Sequence, residues 1–188
     1  MRLLAAVCLV GCGEDVGEFQ RHFDLGSCGA VDILDDEGAA HVAQDTVVPY
    51  GTNPPASGDH FMIWAAYGRT YAQLERGFWL HDAEHGAIVL LHRCDPATCP
   101  DTIAGLEDAV RAFPADAACS APVRQRALVV FDPLLPEGVE VAAIAWTRSY
   151  TATCVDPAAI GLFHRDFYNR GLEDTCAAGA SLGGTVIE

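Results

Sequence analysis

The sequence contains no lysine. All 11 of its basic residues are arginine, set against 26 acidic ones, and the formal net charge is −15. The missing lysine excludes Schiff-base chemistry and the lysine of a phosphate-binding loop. The shortage of positive charge argues against a nucleic-acid partner, because phosphate binding needs a basic face. No C-x-x-C pair occurs, which removes a zinc ribbon and a thioredoxin-type motif. No G-x-S-x-G occurs either. Ser57-Gly58-Asp59-His60 has the letters of a hydrolase triad, but adjacent residues cannot form its geometry. Internal repeats and low-complexity segments are also missing. What is present is a globular composition, 51% hydrophobic and 20% charged over 188 residues, enough for one compact domain.

The N-terminus reads as an address. Met1-Arg2 precedes an uncharged stretch from Leu3 to Gly11, too short to span a bilayer and suited to a signal peptide. Leu9-Val10-Gly11-Cys12 resembles the lipobox of bacterial lipoproteins, in which the cysteine becomes the lipidated first residue. This reading predicts a signal peptide over 1–11, a membrane-surface anchor at Cys12, and a tether and N-terminal extension over 12–39. A single domain over 40–188 follows. Gly13 after the lipidated position points to the outer membrane, with the domain facing the periplasm or the cell surface. The protein partner is left open.

Setting aside Cys8 and Cys12 leaves Cys28, Cys94, Cys99, Cys119, Cys154 and Cys176. An even set in an exported domain predicts three disulfides, with 15 possible pairings. Cys94 and Cys99 enclose a short turn and are expected to bond to each other, or one of them to Cys119. Thiolate metal ligation is the competing reading.

Hydrophobic periodicity is weak before residue 86 and clear after it. Residues 49–60 carry three prolines and two glycines, which forbid regular structure. The aromatics that follow suggest that this long loop is packed down. Ala87–Leu91 and Ala127–Phe131 are apolar strands. Ile103, Leu106, Val110 and Phe113 recur at helical spacing after a capping-box pattern at 98–101, and Pro114 stops that helix. Residues 139–150 read as a third strand. Asp156-Pro157 opens a second helix, striped by Ile160, Phe163 and Phe167 and ended by Gly171. The fold class expected is α+β. A small mixed sheet runs strand–helix–strand–strand–helix, with a loop-rich N-terminal half wrapped over it. Trp64, Trp79 and Trp146 are read as core.

Histidines carry the functional signal. His41, His60, His81 and His85 cluster in the loop-rich half, and Glu84 stands between the last two. Residues four apart chelate one ion only from a helical turn or tight loop, since on a strand they lie about 13 Å apart. Gly86 is suited to ending such a turn. His81-x-x-Glu84-His85 also matches the pattern of inverted zinc peptidases, which requires a full helix and a further acidic ligand. His22, His92 and His164 are isolated, and His164 is expected to face solvent or a local partner.

Together His41-Val42, Asn53-Pro54-Pro55-x-Ser57-Gly58-x-His60, Trp64, Gly68-x-x-Tyr71 and His81-x-x-Glu84-His85-Gly86 resemble the bacterial domain-of-unknown-function family 3105 over about residues 40–175. The resemblance implies an exported or membrane-anchored protein and shared polar positions at His41, His60, His81, Glu84 and His85, without an activity. Ala56 and Asp59 stand where the family usually has Thr and Pro. The resulting expectation is an exported, lipid-anchored domain that binds one copper or zinc ion through the four histidines, with Glu84 as a ligand or beside one. The alternatives are a metal-dependent hydrolase with Glu84 as general base on a metal-bound water, and a metal-free interaction domain.

Overall fold

The structure is a computed structural model describing residues 23–24 and 28–188. The expected signal peptide, Cys12, His22 and most of the expected tether lie outside the described residues. Among those described, the elements in chain order are β1 (Phe23–Asp24), β2 (Gly29–Ile33), β3 (His41–Val42), β4 (His60–Phe61), β5 (Arg69–Tyr71), α1 (Arg76–Glu84) and β6 (Ile88–His92). They continue with α2 (Pro100–Ala112), β7 (Ala127–Phe131), β8 (Val141–Ala145), β9 (Arg148–Ala152), α3 (Pro157–Phe167) and β10 (Thr185–Val186).

Eight of the described strands form one mixed sheet in the order β1-β2-β9-β8-β6-β7-β5-β10, and β3 and β4 form a separate two-stranded ladder. β6 runs parallel to β7, with α2 as the crossover, and antiparallel to β8. The apolar runs of β6 and β7 follow from burial on both faces. Ile88, Leu90 and Val129 meet Leu106 and Val110 of α2, Phe113 at its C-terminal end, and Ile160 and Phe163 of α3. Val89, Leu91 and Val130 point the other way, against Trp79, Leu80 and Ala83 of α1 and the buried loop residues Ala56, Ala65 and Tyr67. The architecture is therefore α+β in three layers, with α1 and the irregular half covering one face.

Several expectations need correction. Part of the expected tether is sheet: β2 pairs with β9 along its whole length, and Cys28 is bonded to Cys154. The single strand expected over 139–150 is a hairpin, β8–β9, turned at Trp146-Thr147 with Thr147 at φ 60°. Tertiary hydrogen bonds hold this turn: Thr147 N donates to Ala56 O, and Thr147 O accepts from Leu34 N. The capping box at 98–101 does not form. Thr98 Oγ1 donates to Asp95 O instead, and Cys99 is the N-cap residue. Asp156 does cap α3, accepting from Ala158 N and Ala159 N. That helix stops at Tyr168 rather than Gly171. Gly171 serves a different purpose: a Cβ there would lie 2.0 Å from Glu84 O, so only glycine lets the chain pass so close to the end of α1. Of the two surroundings expected for His164, solvent is excluded by its burial and the local partner is Tyr168, four residues on. The His164 ring stacks between Phe113 and Tyr168 at 4.0 and 4.7 Å.

The six cysteines pair as Cys28–Cys154, Cys94–Cys99 and Cys119–Cys176. Their sulfurs are therefore not thiolate donors. No helix among the described residues is long and apolar enough to cross a membrane.

Candidate metal centre

Two staples lay the Pro-rich loop against the chain before it. Ser57 Oγ accepts from Glu37 N and donates to Asp35 O, and Asp59 Oδ1 accepts from Ala40 N. With residues 54–57 buried, this lays β4 alongside β3 in parallel, with His41 directly opposite His60 and their ring centroids 4.8 Å apart. The Ser-Gly-Asp-His letters thus build a ladder rather than a triad.

The third side comes from α1. His81 and Glu84 are three apart on this helix and share its inner face. The helix ends in a Schellman arrangement, with Gly86 N donating to Ala83 O and Ala87 N to Asp82 O, and Gly86 at φ 84°. The expected tight turn at 81–85 is the last turn of a nine-residue helix. Because β6 begins only four residues after its end, the histidines sit at the entrance to the central sheet.

His41, His60, His81 and Glu84 each offer a ligand atom within 4.8 Å of the others. Glu84 Oε2 is the hub, 2.9 Å from His60 Nε2, 3.5 Å from His41 Nε2 and 3.8 Å from His81 Nε2. An ion with bonds near 2.0–2.1 Å wants its ligand atoms roughly 3–3.5 Å apart. Closing such a shell would shorten the widest separations by about 1.3 Å or more. His60, His81 and Glu84 are buried, and His41 gives the cluster its solvent-facing edge at 41% side-chain exposure.

Backbone carbonyls fix two of the rings. His60 Nδ1 lies 2.9 Å from Gly58 O and His81 Nδ1 2.6 Å from Phe61 O. A carbonyl only accepts, so each Nδ1 carries a hydrogen and donates. Nε2 is then the free ring nitrogen: in His60 it meets Glu84 at 2.9 Å, and in His81 it lies 3.0 Å from His85 Nε2 and 3.8 Å from Glu84 Oε2. Burial drives the His81 pKa down to about 4, outweighing the Phe61 hydrogen bond, with the neighbouring His85, His60 and His41 lowering it further. Burial pushes the Glu84 carboxyl up, but the His60 hydrogen bond and charge interactions with His60, His81 and His41 outweigh it and hold the group below its ordinary value.

His85 stands next door. Its Nε2 is 3.0 Å from His81 Nε2 and 3.3 Å from Glu173 Oε2, and its Nδ1 is 3.5 Å from the Tyr67 hydroxyl. It groups with Glu84 and Glu173, not with His41 and His60. The four-imidazole expectation thus becomes three imidazoles plus Glu84, with His85 adjoining. Burial drives the His85 pKa to about 4, against a smaller upward pull from Glu84. Trp64, expected in the core, is half-buried and packs edge-on to His85 at 4.7 Å.

Sequence reading missed three groups here. Asp82 is fully buried, and desolvation raises its pKa well above the ordinary carboxylate value despite the bond it accepts from Ala65 N. Arg126 is also fully buried. It pairs with Asp116 and Asp174 and donates to His85 O, tying the end of α1 to the C-terminal segment. Glu173 arrives from that segment, its N donating to Glu84 O. No local pattern marks any of the three, because each acquires its role from distant chain. A separate groove of about 1020 Å³, lined by Tyr50, Asn53, Arg76, Asp132 and Leu134, includes Phe61 but none of the cluster's ligand residues.

No curated protein and no solved structure matches the chain. The family model described as "Protein of unknown function (DUF3105)" matches residues 41–179, a span that takes in the whole histidine–glutamate cluster and Glu173. The chain belongs to that family.

Proposed function

We propose that the domain holds a transition-metal ion, copper or zinc, at His41, His60, His81 and Glu84. The observation that carries this reading is the direction of the ring nitrogens. With Nδ1 of His60 and His81 committed to carbonyls, only Nε2 of each ring is left for a further partner, and both lie near one Glu84 oxygen, at 2.9 and 3.8 Å. The proton in the His60–Glu84 hydrogen bond is what a bound cation would displace, since imidazole and carboxylate bind metal in their deprotonated forms. The carbonyls play the part that outer-shell acceptors play around metal-bound histidine, holding ring orientation and tautomer. Imidazole and carboxylate donors suit zinc and copper. The His81 pKa of about 4 keeps its lone pair available at neutral pH, and a net charge of −15 favours cations near the surface.

The place of Glu84 supports ion holding over hydrolysis. A general base acts on a metal-bound water and stands one water away from the ion, whereas Glu84 Oε2 lies within the ligand set itself. The test is equilibrium dialysis of the full-length, metal-free chain against zinc or copper, read by elemental analysis. Wild type is expected to retain the ion, and His60→Ala, His81→Ala and Glu84→Gln to lose at least 100-fold in affinity. Retention equal to wild type in all three variants, or none by wild type, would overturn the proposal.

The same proposal includes export, cleavage after residue 11 and lipidation at Cys12, with the domain anchored at the outer membrane. Three disulfides support an oxidising compartment. Native protein carrying an unmodified Cys12 by mass spectrometry would end the anchoring claim.

A further inference from the structure

We propose that the cluster is a two-ion centre, in which Glu84 bridges the ion at His41, His60 and His81 to a second ion held by His85 and Glu173. This rests on the reading of the first site as a metal site.

The second position has its own donors. Glu84, His85 and Glu173 each offer a ligand atom within 4.8 Å of the others, and none of the atoms of His41 or His60 is needed to complete the group. Glu84 belongs to both groups, so its carboxylate lies between the two positions. His81 Nε2 and His85 Nε2, donors to different ions in this arrangement, are 3.0 Å apart. The two positions therefore adjoin, and the shared Glu84 carboxylate is what would hold their ions about 3.5–4 Å apart, as in carboxylate-bridged two-metal sites.

The chain is shaped to deliver Glu173. Asn169 N donates to Gly86 O and Glu173 N to Glu84 O, so residues 169–173 are pinned on the end of α1. Gly171 makes the close approach possible. Arg126 clamps the same segment from beneath through Asp174, and the Cys119–Cys176 bond closes it two residues further on. Such bracing is more than one exposed glutamate needs for its own sake, and it sets the Glu173 carboxylate 3.3 Å from His85 Nε2.

The two positions differ in access and in donors. The first has three imidazoles and a carboxylate. The second has one imidazole, the shared carboxylate and Glu173, whose side chain is 52% exposed. Its remaining coordination positions fall to solvent or to a small oxygen-donor ligand such as a carboxylate or phosphate. The second ion is accordingly the weaker and more exchangeable of the two. Charge favours the pair only because both carboxylates are present: two dications against Glu84 and Glu173 leave two positive charges for the acidic chain and for bound anions to offset.

The experiment is a copper(II) titration of the full-length, disulfide-intact chain, followed together by elemental analysis and electron paramagnetic resonance. Wild type is expected to take up two ions. The first equivalent gives an ordinary single-ion signal, and the second reduces that signal as the bridged spins couple. Glu173→Gln alters an exposed side chain and leaves the fold intact; it is expected to lose one equivalent and keep the single-ion signal. His85→Gln serves as the second variant, with the same expected loss. One ion in wild type, unchanged in Glu173→Gln, would overturn the two-ion centre and leave the first site standing. Two uncoupled ions in wild type, both retained by Glu173→Gln, would likewise overturn it. No ion at all would overturn the underlying reading instead.

Discussion

Replacing His164 with Phe is expected to remove about 2 kcal/mol of the protein's sensitivity to acid. His164 is 6% exposed, and burial drives its pKa from 6.5 to about 4. The unfolded ring takes up a proton as the pH falls through about 6.5, while the folded ring stays neutral until about 4. A histidine depressed in this way contributes stability that is present at neutral pH and is lost progressively between those two values. Integrating the difference in bound protons from pH 7 to pH 5 gives about 2 kcal/mol. His81 and His85, also lowered to about 4, act in the same direction. Asp82 acts in the opposite one, because a buried carboxyl with a raised pKa is relieved by acid. Total stability therefore mixes opposing contributions, and the change between two variants isolates one of them. Phe at 164 keeps the stack between Phe113 and Tyr168 but cannot titrate. Urea unfolding of metal-free wild type and His164→Phe at pH 7 and pH 5 provides the comparison. The wild type should lose about 2 kcal/mol more than the variant. Equal losses would show that His164 titrates alike in the folded and unfolded chain, and the burial argument would fail for the other two histidines as well.

Asp82→Asn keeps an acceptor for Ala65 N and removes the ionisable group, so its stability relative to wild type should grow as pH rises from 5 to 8, read from denaturation midpoints. Arg126→Met strands Asp116 beside a buried hole and should cost about 3–5 kcal/mol in urea unfolding; a cost under about 1 kcal/mol would mean that the network carries little. Loss of Cys28–Cys154, which closes a loop of separation 126, should destabilise by about 5 kcal/mol on chain-entropy grounds, against about 2 kcal/mol for Cys94–Cys99 with its separation of 5. Paired Cys→Ser variants compared by thermal unfolding would reveal equal costs if loop length did not matter.

The parts of the fold legible in the sequence are those where burial is one-sided or complete. α2 and α3 show a 3.6-residue apolar stripe because one face meets the sheet. β6 and β7 show continuous apolar runs because both faces are covered. α1 has no such signature. It is buried almost all round, and its buried residues include His81, Asp82 and Glu84, which break any apolar period. The Thr147 turn was hidden for a related reason: no Gly or Asn marks it, and Leu34 and Ala56 hold it from elsewhere in the chain. In the site, the spacing of His81, Glu84 and His85 restricts them to a helical turn. It does not tell which of them share an ion, because that depends on where the rings point. The meeting of His41 with His60 depends on a two-residue ladder stapled by Ser57 and Asp59, and Glu173 reaches the site through distant contacts at Gly171, Asp174 and Cys176. Contacts of that range leave no mark on local sequence.

X-ray absorption at the metal edge, on full-length protein loaded with one equivalent of zinc, tests the metal assignment most directly. The account predicts a shell of nitrogen and oxygen at about 2.0–2.1 Å with the outer-shell scattering of about three imidazole rings, diminished by one ring in His60→Ala. A sulfur shell near 2.3 Å, or a spectrum without imidazole scattering, would contradict it.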